Sequence, residues 1–168
     1  MINWKVFEAD FLKGIPKIKE KLDGVLMLNL RGTLGVRIHN KGQATDGSQI
    51  GYYDDEYKKV REGKGQETGY VNLQDTGELA KSLIVGEEKG QKVLGFEEIM
   101  YENGFDTIEN TEVQEDNFGK EIFSPSEKEI DKAYSGAERS ISKDLDKLIN
   151  SALDKAIKND STNNSWLS

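Results

Sequence analysis

The sequence has no cysteine, one histidine and two prolines, and these scarcities exclude or restrict several kinds of chemistry. Without cysteine the chain cannot form a disulfide, a thiolate metal site or a cysteine nucleophile. A single histidine, His39, can belong to a zinc site only if several carboxylates converge on it. No apolar run approaches the ~18 residues of a membrane span, and the first residues lack the apolar core of a secretory signal. We therefore expect a protein that is made and kept in the cytoplasm, or released only by lysis.

Basic residues are also outnumbered, with 23 Lys and Arg against 31 Asp and Glu, for a net charge of -8. This balance argues against non-specific binding to DNA or to anionic membranes, since both require clustered positive charge. Hydrophobic residues make up 35% of the 168-residue chain and charged residues 32%. The length allows one domain with a core, but we expect some segments to be loops or arms that become ordered against a partner.

The spacing of apolar residues predicts helices at both ends of the chain and irregular structure between them. Residues 1–40 are predicted to be mainly helical, with Pro16 in a first helical turn and His39 at a helix end. Residues 40–69 are rich in glycine and tyrosine and have no periodicity. We therefore predict that they form a long extended loop, which in compact domains is commonly functional or disordered.

The following segment is predicted to contain a capped turn, a hairpin and an acidic stretch. Asp75 and Glu78 have the spacing of a capping box. Residues 82–96 contain two apolar runs around the glycine-bounded segment 86–90, which predicts a β-hairpin with a five-residue loop. Residues 97–121 are strongly acidic, and the chain is expected to return to the core after them.

The C-terminal helix has the clearest signal in the sequence. Ser124, Pro125 and Glu127 predict its N-cap, its first position and its capping box. Apolar residues at spacings of three and four then follow one helix face for about eight turns. These residues are Ile130, Tyr134, Ala137, Ile141, Leu145, Leu148, Ala152 and Ala156.

Together these elements predict an α+β fold in which long helices pack on a small antiparallel sheet, with a long extended loop. We predict one structural domain over residues 1–158, containing the loop at 40–69. Residues 159–168 are predicted to be a flexible C-terminal tail.

No pattern in the sequence selects a catalytic, cofactor or metal site. Gly63-Lys64-Gly65 lacks the spacing of a phosphate-binding loop. Asp54-Asp55-Glu56 lacks the ligand spacing of a calcium loop, although a weak surface cation site stays an alternative to a solvated acidic turn. Adjacent carboxylates are frequent, but none stands apart as a general acid or base. We expect no cofactor and no enzymatic activity.

The middle of the chain carries an ordered set of short motifs. Residues 37–42, Arg-Ile-His-Asn-Lys-Gly, lead into Ile-Gly-Tyr-Tyr at 50–53 and Tyr-Lys-Lys-Val-Arg at 57–61. A Leu-x-x-Thr-Gly-x-Leu-x-x-Ser-Leu motif ends at residue 83, just before the hairpin. This order resembles the tail-completion, neck (head–tail connector) and virion-morphogenesis proteins of tailed bacteriophages. The resemblance covers roughly residues 35–157, and the Thr-Gly motif is its strongest part.

The resemblance implies a non-enzymatic α/β structural subunit of a tailed-phage virion, which forms a six- or twelve-fold homo-oligomeric ring at the head–tail connector, neck or tail. The implied partners are portal, adaptor or tail-tube proteins of the same virion, with assembly in the bacterial host cytoplasm. Neither sequence-specific nucleic-acid binding nor membrane binding is implied, although DNA passes through such a ring. The candidate subunit-interface residues are Tyr52, Tyr53, Tyr57, Arg61, Tyr70, Leu73, Leu79, Leu148 and Leu153.

The acidic stretch has a possible role in such a ring, because carboxylates facing the channel repel the phosphates of passing DNA. The candidates for this role are Glu109, Glu112 and Glu115. Two other functions stay open on the sequence alone. One is a cytoplasmic protein-binding or assembly module without catalytic activity, and the other is a small carboxylate-based hydrolase.

Overall fold

The computed structural model describes residues 2–101, 104 and 106–163, with side chains as far as residue 159. In this part of the chain the elements follow in the order α1 Trp4–Gly35, a π-helical segment Val36–Asn40, α2 Asp55–Gly63, α3 Glu78–Ser82, β1 Leu83–Glu88, β2 Gln91–Phe96, α4 Thr107–Phe118 and α5 Glu127–Asn163. Long helices pack on a small antiparallel sheet, which confirms the predicted α+β class. No helix in the described ranges has the length and apolar character needed to cross a membrane.

The chain divides into two compact units, a helical unit of Met1–Leu26 with Tyr134–Ser168 and a mixed unit of Met27–Ala133. The single domain predicted for residues 1–158 stays a prediction. Helix α5 includes residues 159–163 at the start of the predicted tail, and residues 164–168 lie outside the described residues.

In the helical unit, the first part of α1 runs antiparallel to the last part of α5. The backbone N–H of Asn3 donates to the carbonyl oxygen of Ala156, and Asp10 forms an ion pair with Lys155 at 3.0 Å. Gly14 allows a close approach of the two helices, because a Cβ atom there would lie 2.2 Å from a methyl group of Leu148. The predicted helix start at Pro16 is wrong, since α1 begins at Trp4 and contains the proline in its interior.

The mixed unit is organised around Arg37, which is 7% exposed. Its Nε lies 2.9 Å from Oε1 of Glu129, while its other nitrogens donate to the carbonyl oxygens of Gln43 and Ser124 at 3.0 and 2.9 Å. A buried cation of this kind requires a paired anion and satisfied donors. The surrounding apolar core consists of Leu30, Leu34, Ile38, Ala44, Ile50, Val71, Leu79, Leu83, Ile122 and Ala133.

The predicted hairpin is present, but its loop is shorter than predicted. Strands β1 and β2 pair from Leu83 with Phe96 to Glu88 with Gln91, so only two residues connect them. Lys89 and Gly90 both have positive φ values, 50° and 77°, as a two-residue turn of the primed type requires. Gly86, which the sequence placed in the loop, lies in β1.

The start of α5 also differs from the prediction. The helix begins at Glu127, and the capping box is formed by Ser126 and Glu129 instead of Ser124 and Glu127. The Ser126 N–H donates to Oε2 of Glu129 at 2.8 Å. The predicted apolar face is correspondingly displaced at this end, because Ile130 and Tyr134 are 43% and 47% exposed while Ala133 is buried.

This displacement of the capping box gives a direct stability test. Ser126→Ala is expected to lower the free energy of unfolding by about 1 kcal/mol, because it removes the N-cap hydroxyl. Ser124→Ala, the matched control, removes a hydroxyl that has no hydrogen bond among the described residues, and it is expected to change the free energy of unfolding by less than about 0.5 kcal/mol. Chemical denaturation of both variants measures the difference, and a larger loss for Ser124→Ala would favour the original prediction.

Candidate functional site: a groove beside α2

A groove of about 660 Å³ opens on the mixed unit beside α2. Residues 53–61 form one wall and residues 71–79 form another, and Tyr101 and α4 complete the lining. The lining residues are Tyr53, Tyr57, Arg61, Val71, Leu73, Gln74, Asp75, Thr76, Gly77, Glu78, Leu79, Tyr101, Asn110, Gln114 and Phe118. The groove therefore combines aromatic and aliphatic surface with a few polar groups, the composition typical of ligand-binding clefts.

Helix α2 lies inside the segment predicted to be a long loop, so that prediction is wrong for residues 55–63. Asp54 caps the helix, since its Oδ1 accepts hydrogen bonds from the N–H groups of Glu56 and Tyr57 at 3.0 and 2.8 Å. Because Tyr57 and Arg61 are four residues apart, they share one helix face. The acidic turn predicted at residues 54–56 is thus the cap and first turn of α2.

The guanidinium group of Arg61 lies between aromatic rings and the chain of the opposite wall. Its carbon Cζ is 4.4 Å from the ring centre of Tyr53 and 5.9 Å from that of Tyr57. The two tyrosine rings meet edge to face at 5.4 Å. Only 2% of Arg61 is exposed, so the residue sits beneath the groove surface. These contacts fix both tyrosines relative to the cation.

Asn72 connects the two walls of the groove. Its side-chain oxygen accepts hydrogen bonds from Arg61 Nη2 and from the hydroxyl of Tyr53, both at 3.1 Å. Its backbone oxygen accepts one from Nδ1 of His39 at 3.0 Å. Burial raises the pKa of Tyr53 and lowers that of His39, so both groups favour their neutral forms. The single histidine lies at a helix end as predicted, and its buried ring is hydrogen-bonded to the backbone of Asn72.

The second wall contains two backbone positions in the left-handed region. Leu73 has φ 51° and Gly77 has φ 81°, and Gly77 is the N-cap residue of α3. The predicted cap at Asp75 is therefore wrong. Asp75 instead accepts a hydrogen bond from Lys64 at 2.8 Å, which lowers the pKa of its carboxyl group. Glu78 accepts one from the hydroxyl of Thr76 at 2.9 Å, so both acids lie at the groove with partners from their own chain.

Five of the predicted interface residues line this groove: Tyr53, Tyr57, Arg61, Leu73 and Leu79. The other four lie elsewhere. Tyr52 is 70% exposed beside α2, and Tyr70 packs over Gly42 while its hydroxyl donates to the carbonyl oxygen of Asn40. Leu148 and Leu153 belong to the helical unit, where Leu148 contacts Gly14.

The three predicted channel-facing acids on α4 have different environments. Glu109 and Glu112 are exposed. Glu115 is half-buried, and its Oε1 accepts hydrogen bonds from the N–H groups of Ile122 and Phe123 at 2.7 and 3.0 Å. Glu115 therefore holds the chain that follows α4, whereas Glu109 and Glu112 present their carboxylates to solvent.

The sequence did not indicate several of the lining residues, among them Gln74, Tyr101 and Phe118. Their places depend on long-range packing, for which no local pattern exists. In the segment Gly63-Lys64-Gly65, Gly63 ends α2, Lys64 is its C-cap residue, and Gly65 follows with a positive φ of 67°. Among the described residues, no three His, Asp or Glu side chains are grouped to bind a metal ion.

Comparison of the chain with protein-family models, curated proteins and solved structures found no match.

Proposed function

We propose that this chain is a structural subunit of a tailed-phage virion and forms part of an oligomeric ring at the head–tail connector, neck or tail. The proposal starts from the order of motifs in residues 37–83, which resembles the tail-completion and neck proteins. The α+β fold, with long helices and one small hairpin, is the architecture that this resemblance implies.

The observation that carries the proposal is the convergence of the predicted interface residues. Tyr53, Tyr57 and Arg61 come from the motifs at residues 50–53 and 57–61, while Leu73 and Leu79 come from the Thr-Gly motif. Five of the nine candidates line the same groove, although the two segments are separate in the sequence. Open grooves with aromatic and aliphatic walls are suited to contact with another protein chain.

The partners in this proposal are further copies of the chain and the portal, adaptor or tail-tube proteins of the same virion. DNA passes through the ring without specific recognition. The exposed carboxylates of Glu109 and Glu112 are consistent with a channel surface from which phosphate is repelled. The place of action is the virion, after assembly in the host cytoplasm.

Ring formation can be tested with the purified chain by native mass spectrometry over a range of concentrations. We expect a discrete species of six or twelve copies. Tyr52→Ser is expected to weaken that species, because an exposed aromatic residue at an interface loses its buried contact area. Tyr134→Ser, which changes another exposed tyrosine outside the candidate interface, is the matched control. A monomer at every concentration would contradict self-association.

The groove also favours a second function, a protein-binding or assembly module without catalytic activity. This alternative uses the same walls but requires no ring. A monomeric chain that binds a partner through Tyr53, Tyr57 and Leu73 would support it over the virion subunit.

A further inference from the structure

The helical unit covers little of its own apolar surface. Its buried apolar residues are three alanines, Ala137, Ala152 and Ala156, and none of the larger apolar side chains among its described residues is fully buried. Two helices meet along one seam, whereas a helix with a wide apolar stripe needs neighbours on more than one side to cover it. The unit therefore keeps apolar surface that the described part of the chain does not cover.

Both helices turn this surface to the same side of the pair. Gly14 contacts Leu148 across the seam. The next residue along each helix is rotated by about 100° from that contact, and in an antiparallel pair both rotations lead to the same side. Ile15 and Ile149 therefore lie on one face, and both are half-buried. This apolar helix face continues through Phe11 and Leu22 on α1 and through Leu145 and the predicted interface residue Leu153 on α5.

An aromatic run extends the apolar helix face towards the start of α1. Phe7 stacks on Phe11 with their ring centres 5.7 Å apart, and Trp4 meets Phe7 edge to face at 5.7 Å. Trp4 is 63% exposed. Aromatic side chains, tryptophan above all, supply a large share of the binding energy where two proteins meet. The exposed end of the run is therefore suited to contact with another chain.

The apolar helix face is large enough for a stable contact between proteins. The part of α1 in the helical unit begins at Trp4 and ends at Leu26. It is about 35 Å long at ~1.5 Å per residue, and two packed helices are about 20 Å wide. The face thus offers roughly 700 Å² per copy, close to the ~800 Å² per partner of a standard interface. A second pair of helices has the width to cover it, whereas a single helix does not.

The charges at the two edges of the apolar helix face are of opposite sign. Helical rotation places Lys19 and Asp23 at the edge on α1, and Arg139 and Asp146 at the edge on α5. Asp23 is half-buried and the other three are exposed. None of the four forms an ion pair with another described residue of the chain. These four edge charges are therefore available to a partner.

The register of the helix pair shows which edge charges a second copy would bring together. The ion pairs across the seam join residues whose numbers have the same sum, as in Lys21 with Asp144. The edge charges Lys19 and Asp146 have that sum as well. The other two edge charges have the sum found for Gly14 and the leucine that it contacts. If α1 meets α5 of a second copy in the register that it has with its own α5, both edge pairs are therefore of opposite charge.

The net charge of the helical unit also permits contact between two copies. The unit contains ten basic and nine acidic residues, although the whole chain has a net charge of -8. Two helical units can therefore approach each other without the repulsion that the rest of the chain would cause.

We propose that the apolar helix face binds the same face of a second copy of this chain, about a two-fold axis parallel to the helices. Each α1 then packs against α5 of the other copy, and the four helices form a bundle. The inference does not depend on the proposed function, because a two-fold pair of helical units can exist as a free dimer.

The first test measures the dimer dissociation constant of the full chain by analytical ultracentrifugation. Ile149→Ser is expected to raise this constant at least about 100-fold, because the two-fold axis places the change in the interface twice. Ile130→Ser, the matched control, changes an isoleucine of α5 that is 43% exposed outside the helical unit, and it is expected to leave the constant unchanged. Circular dichroism checks that both variants are folded. A wild-type chain that stays monomeric, or equal effects of the two changes, would overturn the proposal.

A charge swap tests the identity and the orientation of the occupant. Lys19→Glu and Asp146→Lys are each expected to weaken the dimer about tenfold, since each places like charges opposite one another twice. The double variant should bind as tightly as wild type, because it restores both pairs. Lys143→Glu, on the opposite side of α5, is the control and should have no effect. A double variant weaker than either single one would overturn the pairing of α1 with α5.

The same measurements separate this inference from the proposed ring. Rings of six or twelve copies that Ile149→Ser leaves unchanged would overturn the inference and leave the ring standing. Dimers that Ile149→Ser dissociates, without any larger species, would support the inference and contradict the ring.

Discussion

Replacing Arg37 with alanine is expected to lower the free energy of unfolding by about 3–5 kcal/mol, the cost of leaving a buried charge unpaired. The change removes the partner of Glu129, which is 7% exposed, and the donors for the carbonyl oxygens of Gln43 and Ser124. Chemical denaturation at neutral pH measures the loss. Arg139→Ala is the control, because Arg139 is exposed on α5 and its removal is expected to change the free energy by less than about 0.5 kcal/mol.

The effect of Arg37→Ala should also depend on pH. Burial pushes the pKa of Glu129 upward, but hydrogen bonds from Ser126 and Arg37 outweigh it and leave that pKa below its ordinary value. A lowered pKa in the folded state stabilises the protein above the unfolded pKa, and this contribution is lost as the pH falls through the folded value. The difference between wild type and variant should therefore shrink below a pH of about 4. A constant difference across this range would contradict the ion pair as its cause.

Replacing Gly42 with alanine is expected to lower the free energy of unfolding by about 2–5 kcal/mol, from backbone strain and overpacking together. Gly42 has φ 60°, a conformation that L side chains rarely adopt. An added Cβ would lie 2.3 Å from a ring carbon of Tyr70 and 2.4 Å from the carbonyl oxygen of Val71. The ring can shift, but the carbonyl belongs to the wall of the groove.

Gly47→Ala separates the two contributions. Gly47 also has a positive φ, 84°, but no atom lies within 4 Å of its added Cβ. Its replacement is expected to lower the free energy of unfolding by only about 1–2 kcal/mol, the strain alone. Denaturation of both variants gives the overpacking cost as their difference. Equal losses of unfolding free energy in the two variants would show that a side chain at residue 42 causes no overpacking against the groove wall.

The beginning of α5 shows what the sequence can and cannot predict about this fold. Ser124 with Glu127 and Ser126 with Glu129 are overlapping pairs with the same capping-box spacing. Local pattern alone does not choose between them. The structure uses the second pair because Glu129 also binds Arg37, which lies 92 residues away in the sequence. The long-range ion pair between Arg37 and Glu129 therefore determines where helix α5 begins.

The sequence does contain a local pattern for helix α2, but the surrounding glycines favour a loop. Asp54 is a favourable N-cap residue, and Tyr57 and Arg61 repeat at helical spacing. The segment has only nine residues, so its periodicity is short. For the hairpin, the Lys89-Gly90 turn shows that the glycine at 90, and not the one at 86, marks the turn.

The groove could be predicted only in part. The resemblance selected five of its residues as interface candidates, because those residues belong to two recognisable motifs. The burial of Arg61 beneath the surface, and its hydrogen bonds to Glu67, Asn72 and Gln74, follow from packing between α2 and residues 67–74. No spacing in the sequence distinguishes this arginine from an exposed one.

The proposed role of the chain, a structural subunit of a tailed-phage virion, can be tested by quantitative mass spectrometry of purified virions. We expect the chain to be present in mature particles at a fixed copy number of six or twelve. Its absence from those particles would contradict the structural role, and would instead favour an assembly or protein-binding module that acts in the host cytoplasm.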